Sequence, residues 1–432
     1  MKKQLQIFLD FLRFCIGSAK EIPDSLKEVD WKEQYAIAKK QCLVGVLFDG
    51  IKKLSAEHVG MKKELLLQWM AESQMLEKTN VRLNDAAIQV SEWFRKKGFR
   101  TCILKGQGNA LMYPNPYSRT PGDIDIWVDG GDKRVISFVR SISPHEKACY
   151  HHIEFPSYKG VEVEVHYRPS FLLCFWHNRK LQKYYERVKE EQFSHRVMLG
   201  AKGEIAIPTA EFNLIFQLTH IYAHLMNEGI GLRQLLDYFF LLKNTDFSGN
   251  TDGGAFLSNK DSTDNTDKVI GNTDGDGFLL NTDFTDDTDR IGGNVESDVF
   301  LLNTDFTDNT DRIVGNADGV DRRLLQDELR RLGLWEFAGA VMYIMKEVFG
   351  LEDNRLTVPP DVKRGRLVLK EALEAGNFGQ YDKRNWFGHS ALGHNLQRLY
   401  RDMRLVRYFP EEALSEPFFR IWHFFWRKRI VR

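Results

Sequence analysis

A chain of 432 residues is long enough for two or three domains, and 43% hydrophobic with 12% aromatic residues excludes disorder over most of its length. Lys+Arg and Asp+Glu balance at 60 each, so no strong net field draws the chain to nucleic acid. No run reaches the ~18–20 apolar residues of a membrane span, and Cys15, Cys42, Cys102, Cys149 and Cys174, scattered and never in C-x-x-C spacing, read as buried thiols in a reducing cytoplasm.

Residues 1–97 predict a helical region. The start, MKKQLQIFLDFLRFCIG, is interrupted by Asp10 and Arg13 and reads as an amphipathic helix, not a signal peptide. Trp31, Tyr35, Ala38, Leu43 and Val46, then Leu65, Leu66, Trp69, Met70, Met75 and Leu76, then Leu83, Ala86, Ala87, Val90, Trp93 and Phe94, recur at helical spacing. Stripes of this kind form core, and no chemistry is assigned to them.

A second region, 98–200, carries the chemistry. The apolar run Thr101–Leu104 predicts a strand that stops at Lys105-Gly106, with Gly108 beyond. After a polar, proline-containing stretch with Arg119, Gly122 opens a second strand, Asp123-Ile124-Asp125-Ile126-Trp127-Val128. Alternation puts Asp123 and Asp125 on one face, about 6.6–6.8 Å apart along the strand, with Ile124, Ile126 and Val128 on the other. Two such carboxylates suit a pair of divalent ions, and a glycine turn beside a lysine suits a polyphosphate. Taken alone, the same D-x-D is equally compatible with a solvated strand edge. Asp132–Ile142 predicts a helix on the sheet, and 150–166 a hairpin whose second arm alternates Val161, Val163 and Val165 with Glu162, Glu164 and His166.

From 201 to 243 the pattern is helical again, with Thr209 as N-cap and His220 and His224 one turn apart on one face, without an evident third metal ligand. Composition then shifts: 244–319 is dominated by Asn, Thr, Asp and Gly, and Leu279–Asp286 recurs at Leu301–Asp308, an offset of 22 residues. Too few apolar residues remain to bury a core. The spacing fits neither the nonapeptide nor the EF-hand calcium pattern, so the block reads as a low-complexity insertion between two helices of one region, 201–243 and 320–432. The tail PFFRIWHFFWRKRIVR predicts an amphipathic terminal helix docked on the body.

The constellation Leu104-Lys105-Gly106, Met112-Tyr113, Arg119 and Gly122 to Ile126 resembles an uncharacterised branch of the DNA polymerase beta-like nucleotidyltransferase superfamily. Lys-Gly stands where the superfamily has Gly-Ser, as in abortive-infection-type toxin nucleotidyltransferases. The resemblance implies an α+β fold with a small mixed sheet carrying the site, embedded in a largely helical chain. It implies a third carboxylate two residues before a histidine on a neighbouring strand, here Glu164 with His166, and Glu162 as the fallback. It also implies that Arg233 and Asp237 recur beside the site, where they and His220 are candidate substrate contacts.

The expected activity is transfer of a nucleoside monophosphate from an NTP to an acceptor (small molecule, tRNA end or protein) with release of pyrophosphate. Asp123, Asp125 and Glu164 would bind Mg²⁺ or Mn²⁺, and Lys105, Gly106, Gly108 and Arg119 the triphosphate. A toxin-like transferase and a catalytically inactive nucleotide-binding scaffold are the alternatives. Since Asp125 contributes a ligand and no core volume, Asp125→Asn is expected at this level to silence the protein without loosening it.

Overall fold

The computed structural model describes residues 3–55, 60–200, 203–248, 319–384 and 391–430. The repeats between 249 and 318 lie outside the described residues.

Three short helices open the chain. Helix α1 (Lys3–Cys15) buries Phe8, Phe11 and Leu12. Helix α2 (Trp31–Gln41) starts where the Asp30 carboxylate accepts from the backbone N–H groups of Lys32 and Glu33, satisfying two orphan donors, and α3 (Val44–Ile51) follows. The 34-residue α4 (Lys63–Lys96) joins this layer to the sheet. Its first half buries Trp69, whose indole donates to the Val44 carbonyl at 2.9 Å; its second half buries Leu83, Ala87, Val90 and Phe94. Between them, Asn80 Nδ2 donates to the carbonyls of Tyr117 and Arg119, both at 2.8 Å, and so fixes the loop that precedes the acidic strand.

The sheet that follows has four strands. Strand β1 (Thr101–Ile103) leads through the single turn α5 (Gln107–Ala110) to β2 (Ile124–Val128). After α6 (Gly131–Ile142) come the hairpin strands β3 (His152–Tyr158) and β4 (Val161–His166). The spatial order is β1-β2-β4-β3, with β2 and β4 parallel and the outer strands antiparallel to them, so the sheet is mixed as expected. Ile124, Ile126, Val128, Val161, Val163 and Val165 share a core with α6 and the end of α4. The opposite face carries Asp125, Trp127, Glu164 and His166, because strand side chains alternate.

Helices α7 (Phe175–Ser194), α8 (Ala210–Asn227) and α9 (Leu232–Asn244) lie towards that second face, while the small hairpin β5 (Arg196–Met198) and β6 (Glu204–Ala206) adds Ile205 to the core of the first. Phe193 of α7 and Phe212 of α8 pack on Trp127, with ring centroids 4.6 and 5.8 Å away. The β5–β6 hairpin runs across residue 200, so the boundary expected there falls inside one structural unit.

The insertion is also narrower than composition suggests. Thr245 is buried, and β7 (Phe247–Ser248) pairs in parallel with β8 (Val320–Asp321), so both flanks belong to the body. Helices α10 (Arg322–Arg331), α11 (Trp335–Glu347), α12 (Val362–Ala375), α13 (Ala391–Leu405) and α14 (Pro410–Ile430) complete the chain. Helix α14 docks through Ala413 and Phe419, while Phe418, Phe424 and Phe425 stay exposed. No helix among the described residues is long and apolar enough to cross a membrane.

With the ends held by β7 and β8, replacing 249–318 by a short Gly/Ser linker is expected to shift the melting temperature by no more than a degree or two. Closure entropy grows by only about 0.6 kcal/mol per doubling of loop length. Differential scanning calorimetry of the shortened chain, with and without calcium, checks this; a large shift would mean the repeats are a structured element.

Candidate active site

The parallel register of β2 and β4 sets Asp125 directly opposite Glu164 and Trp127 opposite His166. Asp123 immediately precedes β2, and one ligand oxygen from each of Asp123, Asp125 and Glu164 lies within 4.8 Å of the others. Three oxygens at that spacing fit the coordination sphere of a hard divalent cation, whose oxygen ligands at ~2.0–2.1 Å sit about 3–4 Å from one another. The sequence-level trio is therefore brought together. Glu162, the fallback, is exposed farther along β4 and does not belong to the cluster.

Cations gather on the same carboxylates. Lys105 Nζ, at the end of β1, lies 2.9 Å from Asp125 Oδ1, and His166 Nε2 lies 2.9 Å from the same oxygen. His166 also stands 3.4 Å from Glu164 Oε2, and His152 Nδ1 of the edge strand 3.3 Å from it. Burial works against ionising Asp125, yet Lys105 and His166 outweigh it and hold the carboxyl well below the usual range. Asp123 is treated differently. The neighbouring Asp125 charge, then burial, push its pKa up to about 6, with Lys105 only partly offsetting them. For His166, burial opposes the charge but its hydrogen bonds to the Asp125 and Glu164 carboxylates prevail, raising it to about 9. His152 goes the other way, to about 4, through burial and the His166 charge. The trio thus joins one stabilised carboxylate to one crowded by its neighbour, an electrostatic setting that an added divalent cation relieves.

Beside the trio runs a narrow cleft of about 40 Å³ lined by Gly106, Gly122, Arg233 and Phe378, among others. Gly106 has φ 57°, in the left-handed region where a Cβ is strained, which lets the chain turn from β1 into α5. Lys105 spans the cleft, reaching His220 Nε2 at 3.1 Å as well as Asp125. His224 Nε2 lies 3.0 Å from the same His220 nitrogen. Among the described residues this histidine pair joins no third metal-ligating group. Gly108, expected to face the triphosphate, does not line the cleft: it packs on Ile207, whose Cγ2 a Cβ there would approach to 3.0 Å.

Of the two arginines at the cleft, Arg119 departs from the role expected of it. Arg119, read from sequence as a phosphate contact, is buried and donates from Nε and Nη2 to both oxygens of Asp237, at 2.8 and 2.7 Å. Tyr113 Oη and Asn109 Nδ2 complete the shell of Asp237 at 2.7 and 3.3 Å. Arg119 and Asp237 are thus a neutralised pair supporting the cleft from below. Arg233, one turn before Asp237 on α9, has no carboxylate within 4 Å among the described residues. Its Nη1 donates to the Thr120 and Pro121 carbonyls at 3.2 and 3.4 Å, and its buried Nε has no partner. Burial, then repulsion from Arg119, lower its pKa. This is the unneutralised cation of the cleft wall.

Phe378 also lines the cleft, beside Arg233. It adopts φ 50°, unusual for a residue with a Cβ, and its ring centroid lies 5.0 Å from that of His224 and 5.5 Å from the Arg233 guanidinium. Nothing in the local pattern of EAGNFGQ announces this, although a phenylalanine between two glycines is a turn signal.

A model of an uncharacterised nucleotidyltransferase family matches residues 27–264, more than half of the chain and the whole span from Lys105 to Asp237. The chain belongs to this family. Neither a search of curated proteins nor one of solved structures returned a match. Family membership makes the protein a nucleotidyltransferase with a nucleoside triphosphate as substrate, and nucleotidyltransferases usually need a divalent metal. The mixed α+β architecture agrees with a nucleotidyltransferase core set in a helical chain. Among the described residues four clusters could hold a metal ion, and of these the acidic trio alone is made entirely of carboxylates.

Proposed function

We propose that this nucleotidyltransferase is a metal-dependent, polymerase beta-like enzyme that moves a nucleoside monophosphate from an NTP to an acceptor hydroxyl and releases pyrophosphate. The observation that carries the reading is the convergence of Asp123, Asp125 and Glu164, one oxygen each within 4.8 Å, beside a cleft walled by Lys105 and Arg233. Bound Mg²⁺ or Mn²⁺ would supply charge neutralisation at the phosphates and a lowered pKa for the attacking hydroxyl. The chain itself positions and balances charge. Lys105 and Arg233 hold the phosphates, Gly106 allows their close approach, and Arg119 with Asp237 keeps the cleft floor rigid. His166 anchors Asp125 and Glu164 in one orientation, so the carboxylates need not reorganise during transfer.

Free Cys15, Cys42, Cys102, Cys149 and Cys174 fit a reducing cytoplasm. A catalytically inactive scaffold is the weaker reading, because Asp123 is kept crowded against Asp125 at a cost to the fold. Measuring pyrophosphate release from each NTP with and without Mg²⁺, in the wild type and in Asp125→Asn, tests the proposal; metal-independent release, or release that survives the substitution, would overturn it.

Lys105 gives a separate prediction. Its ammonium already points into the cleft, and binding of a triphosphate would transfer it from Asp125 to phosphate. A charge-assisted hydrogen bond contributes roughly 1.5–3 kcal/mol. Lys105→Ala is therefore expected to weaken binding of a non-hydrolysable NTP analogue by about one to two orders of magnitude, with the metal requirement intact. Isothermal titration of both proteins is the check, and equal affinities would remove Lys105 from the nucleotide site.

A further inference from the structure

A second, larger cavity lies at the other edge of the sheet. Across the order β1-β2-β4-β3 the cleft sits at the β1 side, with Lys105, and the acids follow on β2 and β4. Beyond them, just before β3, Tyr150 opens onto a cavity of about 570 Å³, also lined by Arg168, Trp176, Arg179, Lys183, Trp422 and one carboxylate, Glu186, whose neighbour Lys189 pairs with it at 2.5 Å. That volume suits a ligand of nucleotide size.

The floor of this cavity is fixed. Tyr150 Oη accepts from Asn178 Nδ2 at 2.9 Å, and the Arg168 guanidinium covers its ring at 4.6 Å. Arg168 in turn donates to the Tyr150 carbonyl at 2.7 Å and to Asp132 at 2.8 Å. The walls are free by comparison. Trp176, Arg179 and Lys183 follow one another at i, i+3 and i+7 and share one face of α7. Trp176 is 75% exposed, which core packing does not account for, and Trp422 from α14 is 39% exposed. Arg179 and Lys183 have no carboxylate within 4 Å among the described residues, so their charge is available. Accessible indoles next to unpaired cations are complementary to a planar aromatic ring that carries a phosphate. An acyl chain would leave the cations unused, and an acidic peptide would leave the indoles unused.

Two residues that line the cavity lie close in sequence to groups that touch the acidic trio. Tyr150 continues into His151 and His152, and His152 contacts Glu164, while His166 Nδ1 lies 3.4 Å from the carbonyl of Arg168. We propose that this cavity is the acceptor subsite, holding a nucleotide moiety with its free hydroxyl directed towards Glu164. The inference rests on the nucleotidyl-transfer reading. In the transfer, the acceptor oxygen forms a bond to the α-phosphorus as the bond from that phosphorus to the bridging oxygen breaks. Pyrophosphate leaves with the electron pair, and the hydroxyl proton passes to water. The nucleotide is either free or the last unit of an RNA strand, since both offer the same ring, phosphate and hydroxyl.

The test uses the full chain with two probes, AMP and a short single-stranded oligoadenylate, and reads binding by quenching of tryptophan fluorescence and by calorimetry. At least one probe should bind the wild type. Trp176→Ala should weaken it roughly ten- to hundred-fold, as loss of one stacked base does, while Trp176→Phe keeps most of the affinity. Arg179→Ala with Lys183→Ala should weaken binding and flatten its salt dependence. Affinity for a non-hydrolysable NTP analogue should stay unchanged in all of these exposed-residue variants. Preference for AMP identifies a free nucleotide as acceptor, and preference for the oligonucleotide a strand end. Failure of both probes to bind, or equal binding by wild type and Trp176→Ala, overturns the subsite. Labelled NTP separates this from failure of the transfer reading. Trp176→Ala should raise the acceptor KM with kcat little changed, whereas binding that depends on Trp176 in a protein that never transfers label would leave a nucleotide site and remove the acceptor role.

Discussion

Replacing Asp125 with asparagine is expected to abolish metal-dependent turnover and, contrary to the expectation from sequence, to destabilise the fold. Asp125 is 3% exposed, and one of its oxygens receives both Lys105 and His166. The neutral amide removes a metal ligand and leaves two buried cations facing a group that cannot balance them. Breaking a buried ion pair from one side costs about 3–5 kcal/mol. His166 can shed its proton, and Glu164 remains nearby, so the lower end of that range is expected.

The pH dependence of stability in metal-free buffer carries the same signature. His166 is raised from an unfolded value near 6.5 to about 9. Its contribution is therefore complete below pH ~6.5 and lost as pH rises through about 9. Wild-type stability should decline across that window, and Asp125→Asn should flatten the decline. Chemical denaturation at a series of pH values decides it; a variant as stable as the wild type at pH 7, with the same slope, would show that the cations do not depend on Asp125.

Asp123→Asn should give the opposite stability change with the same loss of activity. Here the folded pKa of about 6 lies above the ordinary 3.8, so the fold disfavours the charged form. The resulting penalty is fully present above pH ~6 and absent below ~3.8. At pH 7 without metal the asparagine variant is expected to be more stable than the wild type by up to about 3 kcal/mol, at 1.36 kcal/mol per pKa unit. That advantage should vanish towards pH 4. Added Mg²⁺ should reverse the order, because only the wild type gains from binding the ion. Thermal melts with and without Mg²⁺ check this. If Asp123→Asn melts lower than the wild type at pH 7 without metal, the carboxylates are not in mutual repulsion and the site does not await a cation.

These contrasting acids also mark how far the sequence could be read. The alternation within β2 and within β4 was legible because it is local, but the choice of Glu164 as the partner of Asp123 and Asp125 came from the family resemblance, since periodicity does not say which strands are neighbours. The roles of Arg119 and Arg233 were not legible. Both are arginines near a glycine-rich turn, and which one is neutralised depends on Asp237, brought in by α9 from far along the chain. Gly108 looks like a phosphate-loop glycine, yet its freedom serves contact with Ile207. Phe378 lies beyond the insertion, in a turn whose sequence carries no trace of the cleft it lines. His152 reads as an ordinary strand residue until the antiparallel register sets it opposite His166. Partner choice over long sequence separation is a property of packing, and periodicity does not encode it.

The parallel clasp of β7 and β8 has a consequence for how the gene can vary. With Phe247 held beside Val320 and Ser248 beside Asp321, the catalytic body registers only that its two flanks meet. Slippage that adds or removes a 22-residue repeat during DNA replication therefore changes the length of chain between the two strands and not the pairing of the strands themselves. Alleles of different length would share one enzyme, and the same position offers a ready splice point for a fluorescent reporter or an affinity handle.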